Sequence, residues 1–242
     1  MANGPATRLL CLDTSTSSAR VAVVDGVGAV VARAEATAER HSQHVLALCD
    51  QALRAAGLSP AALDAIACGA GPGSFTGLRV GLAVAKGLAL ATGKPLLLVS
   101  SLQALALDLA RSASAGEAFT AVPCIDAGKG EVYASACAVD ASGAVAPGGE
   151  PWRLAPSALA ERVASIGQAT VGGNGAERHA AALDAAFGVR ARRTTVEGPS
   201  AVSIAALALP RLARGESDDL DKAVPVYGRP PDITTKKPVG SG

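Results

Sequence analysis

Residues 68–92, CGAGPGSFTGLRVGLAVAKGLALAT, narrow the choice of fold more than any other stretch of this chain. Gly69, Gly71, Pro72 and Gly73 fit poorly inside regular structure, so the stretch predicts a strand end, a glycine-rich turn and then a helix. Ser74 or Thr76 is placed to cap the first orphan amides, and the helix is expected from Thr76 onward. Leu78, Val80, Leu82, Val84, Leu88 and Leu90 cover its faces and only Arg79 and Lys86 carry charge, which predicts burial on more than one side. Gly77, Gly81, Ala85 and Ala89 recur every fourth residue along one edge, where small side chains let another backbone come close. A membrane span would want about 20 uninterrupted apolar residues, and two full charges interrupt this run.

The turn is not a standard nucleotide cradle. The phosphate loop G-x-x-x-x-G-K-[ST] has no counterpart, because Leu78 stands five residues after Gly73 and no lysine follows a correctly spaced glycine. The dinucleotide fingerprint G-x-G-x-x-G fails at Thr76. Packing and partner contact is the reading adopted, with an anion held on exposed helix-start amides as the alternative.

The chain has 242 residues, 49% of them hydrophobic, enough for one large or two small cores. Net charge is +1 and aromatics make up 2%, so it lacks both the basic field and the stacking platform of a protein that grips RNA alone. Arg190, Arg192 and Arg193 are read as a solvated basic cluster. Cys11, Cys49, Cys68, Cys124 and Cys137 form no C-x-x-C pair and lie in apolar surroundings, which points to buried thiols in a reducing cytoplasm. The first residues, MANGPATR, have no hydrophobic segment of a signal peptide. His41 and His44 stand three apart with no glutamate between them, and His179 lies in the other half; they are read as cap and surface residues, not metal ligands. No G-x-S-x-G elbow is present.

In chain order, residues 8–13, 19–25 and 29–35 read as a three-stranded meander, 43–56 as a helix ended by Gly57, and 65–68 as the strand into the opening motif. Residues 95–99 are strand-like, 102–110 helical, and the small polar run 112–116 is the expected domain boundary. The second half then repeats the first: LLCLDTSTSSARVAVVD and VPCIDAGKGEVYASACAVD each place a cysteine two residues before an aspartate, then a polar turn and another strand. Thr170-Val171-Gly172-Gly173-Asn174-Gly175 again closes a strand into a glycine turn, as residues 68–73 did. The prediction is an α/β protein made of two βββαβα units, residues 1–112 and 117–228, followed by a basic tail at 229–242. Residues 215–221 read as a charged linker and 224–227 as an edge strand.

The run GAGPGSFTGLRVGLAVAKGLAL resembles the signature of the TsaB family, formerly YeaZ, and the resemblance extends to LLCLDTSTSSARVAVVD, CIDAGKGEVYASACAV and AVPVYGRP. It implies a duplicated actin-like ATPase (ribonuclease H-like) fold and a role in placing threonylcarbamoyl on the adenosine beside the anticodon of certain tRNAs. It further implies a non-catalytic scaffold that forms a homodimer alone and pairs with a TsaD-type paralogue and a TsaE-type ATPase, meeting tRNA only through that complex. TsaD would carry out transfer from threonylcarbamoyl-AMP. Gly71, Pro72, Gly73, Ser74, Phe75, Thr76, Gly77, Arg79, Gly81 and Ala85 become the expected partner contacts.

Actin-like proteins hold nucleotide phosphates on their two hairpin turns through glycine-bearing Asp-x-Gly-Thr/Ser patterns. Here the first turn, Asp13-Thr14-Ser15-Thr16, has no glycine, while the second, Asp126-Ala127-Gly128-Lys129-Gly130-Glu131, keeps its glycines beside Glu131. Asp13, Thr14, Asp126, Gly172 and Gly173 therefore mark a vestigial nucleotide cleft. Asp13 and Asp126 are either water-mediated magnesium ligands or polar strand ends. No intrinsic cofactor is expected, with ATP or ADP and magnesium restricted to the complex with partners. The competing reading is an ATP-dependent phosphotransferase or ATPase of the same fold; a glycoprotease follows only from an old naming of the paralogues.

Overall fold

The structure, a computed structural model, describes residues 7–37, 41–113, 116–186 and 191–226. β1 (Arg8–Asp13), β2 (Ser18–Asp25) and β3 (Val30–Thr37) form an antiparallel meander, with Cys11 opposite Ala22 and a bulge at Val23/Val24. The Asp25 carboxylate closes the second turn by accepting the amides of Val27 and Ala29. After α1 (His41–Ala55), β4 (Ala65–Gly69) lies parallel to β1; α2 (Phe75–Thr92) returns the chain to β5 (Leu96–Val99), parallel to β4. α3 (Ser101–Ser112) follows, capped by Ser100, whose hydroxyl accepts the Gln103 amide. The strand order of this first sheet is β3-β2-β1-β4-β5.

The second half repeats the plan with β6 (Phe119–Gly128), β7 (Glu131–Ala134), β8 (Cys137–Val139), β9 (Trp152–Leu154), α4 (Pro156–Ala164), β10 (Ala169–Gly172), α5 (Asn174–Arg178), α6 (Ala180–Ala186), β11 (Ala191–Arg193) and α7 (Ala201–Ala213). Its sheet runs β9-β7-β6-β10-β11, with β8 paired to the start of β6. Superposing β6 on β1 reproduces the order of the first sheet, and Cys124 lies opposite Ala134 as Cys11 lies opposite Ala22. The duplication extends one step beyond the expected βββαβα, since each half ends in a further strand and helix.

Those last helices change places. The first sheet is covered on one face by α1 and α2, through Leu10, Leu12, Val45, Leu82 and Ala85, and on the other by α7, through Leu9, Cys11, Ile204 and Ala205. α3 leaves the first sheet for the second, where Leu102, Leu105 and Leu109 meet Ala121 and Ile125. α4 and α6 cover the far face, through Leu159, Val163 and Leu183. The layers run α1/α2, sheet, α7 beside α3, sheet, α4/α6. This is why β1 reads as a continuous apolar run: it is buried on both faces.

Two expectations near the C-terminus are corrected. Residues 215–221 are no linker: the Asp218 amide donates to Leu96 O at 2.8 Å, its carboxylate accepts the Leu98 amide, and Arg211 pairs with Glu216 and Asp218. Residues 224–226 form no strand; they cross beside α2, where Lys86 Nζ donates to Ala223 O at 3.2 Å and the Val226 amide to Ala70 O at 2.7 Å. The tail at 229–242 and Arg190 lie outside the described residues, as do the side chain of His41 and part of the expected boundary at 112–116.

Candidate partner-binding helix and the closed turn beside it

The glycine-rich turn is built against its own chain. Gly71 has φ of +104°, precedes Pro72 through a cis peptide, and has Leu78 and Val226 where a side chain would stand. A Cβ on Gly73 would overlap Ser15, and one on Gly77 or Gly81 would overlap Thr14. Ser74 caps α2 by accepting the Gly77 amide at 3.2 Å, while its own amide donates to Ser15 O at 2.7 Å. Thr14 Oγ1 donates to Gly77 O at 2.8 Å. The edge Gly77, Gly81, Ala85, Ala89 does admit a close backbone, as its spacing predicts, but that backbone is the β1–β2 turn. Its further residues, Ala85 and Ala89, are buried in the first core.

The opposite edge of α2 faces outward. Of 18 residues only Leu78, Gly81, Leu82, Ala85 and Ala89 are buried, so the expectation of burial on more than one side is not met among the described residues. Phe75, Thr76, Arg79, Ala83, Gly87, Leu90 and Ala91 are exposed, Leu90 at 69% and Phe75 at 47%, with the Arg79 guanidinium 5.3 Å from the Phe75 ring centre. Among the described residues nothing lies within 4 Å of the position a Gly87 side chain would take. Ala83, Gly87 and Ala91 thus form a second small-residue row, outside the first. Among the expected partner contacts Phe75, Thr76 and Arg79 are exposed, Gly73, Ser74 and Gly77 half-buried, and Gly71, Pro72, Gly81 and Ala85 buried. By length and composition alone α2 is apolar enough to cross a membrane despite its two charges. Its inner edge, fitted to Thr14 and the first core, is that of a helix in a globular fold.

The cleft residues are already engaged. Asp13 is buried, and its carboxylate accepts the Ser15 amide, the Ser15 hydroxyl and the Ser101 hydroxyl. Burial pushes its carboxyl above the usual range, against the pull of those donors and of Arg20. Thr14, Ser15 and Thr16 are buried, and Gly198 packs against Thr16 and Arg20, which also pairs with Glu35 and Glu197. In the second turn Asp126 accepts the Gly128 amide and pairs with Arg178 at 3.0 Å. Gly172 and Gly173 are demanded by packing, the first against Leu109 and Thr194, the second against Cys124 O. Among the described residues no group of three His, Cys, Asp or Glu is arranged to hold a metal. In the first turn the Asp13 carboxylate is buried and both its oxygens are already engaged, so it does not fit a magnesium ligand.

Other residues are placed beyond or against expectation. Arg193 pairs with Glu177 and Asp184 and is ion-paired framework, whereas Arg192, which donates to Thr170, is exposed as expected. His44 is exposed, and His179 Nε2 is buried among the described residues without a hydrogen-bond partner. Sequence reasoning named Gly69 and Ser15 only as turn residues, without their link to Asp13, and missed Ser101. Only Ser101 carried a usable signal, a pair of serines between a strand and a helical run.

Two matched sheets of order 3-2-1-4-5 with their last helices exchanged define a duplicated actin-like protein, one whose first ligand turn is closed. A family model described as TsaD, tRNA N6-adenosine threonylcarbamoyltransferase, matches residues 26–196. The tRNA threonylcarbamoyladenosine biosynthesis protein TsaB of Escherichia coli (strain K12) is 32% identical over 223 residues, covering 92% of this chain and 94% of that protein. The solved structure of YeaZ from Pseudomonas aeruginosa superposes with a TM-score of 0.74 at 32% identity, over 91% of this chain and all of that one. A tRNA N6-adenosine threonylcarbamoyltransferase of Maricaulis maris is 47% identical over 74 residues, 31% of this chain and 20% of that one. This chain belongs to the TsaB (YeaZ) family of tRNA threonylcarbamoyladenosine biosynthesis.

Proposed function

We propose that this protein is a non-catalytic scaffold of threonylcarbamoyladenosine synthesis that docks through the outer edge of α2. It forms a homodimer alone and exchanges that contact for a TsaD-type paralogue, with a TsaE-type ATPase joining the pair. The paralogue transfers threonylcarbamoyl from threonylcarbamoyl-AMP to the adenosine beside the anticodon. ATP or ADP and magnesium, where needed, bind at the assembled complex, and tRNA is met only there. The observation that carries this reading is an 18-residue apolar helix with five buried residues, standing beside a hairpin turn whose Asp13 carboxylate is already engaged.

Reconstitution tests it. The chain alone is expected to form no threonylcarbamoyladenosine on tRNA and to bind ATP too weakly for calorimetry, with or without magnesium, whereas modified tRNA accumulates once TsaD-type and TsaE-type partners are added. Tight ATP binding with turnover by the isolated chain would instead establish the phosphotransferase reading.

A further inference from the structure

The turn at residues 71–74 sets where α2 begins, and both its ends trace back to one side chain. Asp13 Oδ2 accepts the Ser101 hydroxyl at 2.7 Å. That hydroxyl oxygen also accepts the Gly71 amide at 3.1 Å, and the Ser101 amide donates to Gly71 O at 2.9 Å, so the first residue of α3 grips both backbone groups of Gly71. Asp13 Oδ1 accepts the Ser15 amide at 2.9 Å and the Ser15 hydroxyl at 2.6 Å. The Ser15 carbonyl in turn receives the amide of Ser74, the cap of α2, at 2.7 Å. Gly69 leaves room for this arrangement, since a Cβ there would overlap Asp13 Oδ2 and stand 2.8 Å from Ser101 Oγ.

We propose that Asp13 is the positioning residue of the α2 face: Oδ2 sets Gly71 through Ser101, Oδ1 sets Ser74 through Ser15, and together they fix the start and direction of the helix. The proposal rests on the partner-binding reading of α2. A two-oxygen acceptor suits the task, because each oxygen serves a different end of the turn. An asparagine at 13 keeps the Ser15 arm with its one oxygen but turns an NH2 donor toward Ser101, leaving the serine proton without its acceptor. Because α3 packs on the second sheet, the Gly71 arm also ties the docking face of the first half to the second half.

Amide hydrogen exchange at Gly71 and Ser74, measured with sedimentation of the chain alone and with the TsaD-type paralogue, tests the assignment. Ser101→Ala and Asp13→Asn are expected to speed Gly71 exchange on the order of tenfold or more, to leave Ser74 near wild type and to weaken association to a similar degree. Asp13→Ala is expected to release both amides. Val27→Asp, at the exposed tip of the β2–β3 turn, is the control that changes neither readout. Leu90→Asp tests the docking reading by itself: it abolishes association while leaving Gly71 and Ser74 exchange unchanged. If Leu90→Asp associates normally, the docking reading falls and the two amides still judge the role of Asp13. Wild-type exchange at Gly71 in Ser101→Ala overturns the proposal, and so does unweakened association in a system that Leu90→Asp disables. Should the Asp13 variants fail to fold, Ser101→Ala, the milder change, separates the two outcomes by the same readouts.

Discussion

On α2, the same residue type serves opposite ends at two positions ten residues apart. Gly77 has Thr14 O where its Cβ would stand, so Gly77→Ala forces the β1–β2 turn to move and is expected to cost about 1–3 kcal/mol in urea unfolding. Gly87 has open space, so Gly87→Ala is expected to stabilise the monomer by up to about 1 kcal/mol through helix propensity. Asp13 adds a pH dependence with a defined sign. Its folded carboxyl titrates above the unfolded value of about 3.9, so its contribution is full below that value and is lost as pH rises through the raised one. Wild-type stability relative to Asp13→Asn is therefore expected to decline from acidic toward neutral pH in denaturation series. The five cysteines are buried and free, and burial raises the thiols, Cys49 to about 12. A thiol-specific reagent at pH 8 is expected to leave the native protein unlabelled and to react with all five after unfolding.

Considered as an element, α2 shows what its residues could and could not disclose. Its extent, its cap and its apolar character were legible, because glycine, serine and an apolar run broken only by Arg79 and Lys86 each have local meaning. Which edge faces outward was not. A spacing of four is satisfied by Gly77, Gly81, Ala85, Ala89 and equally by Ala83, Gly87, Ala91, and only the path of the distant β1–β2 turn separates them. The β1–β2 hairpin and its counterpart were readable from the repeated Cys-x-Asp, whereas the docking of residues 216–226 on β5 and α2 depends on contacts more than a hundred residues apart. An interface test belongs on the outer row. Gly87→Leu is expected to leave the monomer's thermal midpoint near wild type and to weaken self-association at least tenfold in sedimentation, whereas Gly81→Leu would unseat Thr14 and unfold the turn.

At the scale of the molecule, the exchanged helices make the two halves one folding unit. Asp108 of α3 accepts the Ser200 amide, the Ser200 hydroxyl and the Ser203 hydroxyl at the start of α7, which locks the two exchanged helices together. Calorimetry is expected to record a single transition, and fragments ending at residue 113 or starting at 116 to bind a hydrophobic dye without a cooperative transition, since each would bare an apolar sheet face. The halves are legible as repeats in the sequence, yet each has one face of its sheet covered by the other's last helix. During translation, the first sheet emerges from the ribosome long before the helix that shields Leu9, Cys11 and Val24, which begins only at Ala201. The nascent polypeptide therefore carries a bare, greasy surface through most of its synthesis, and holdase chaperones have a long interval in which to find it.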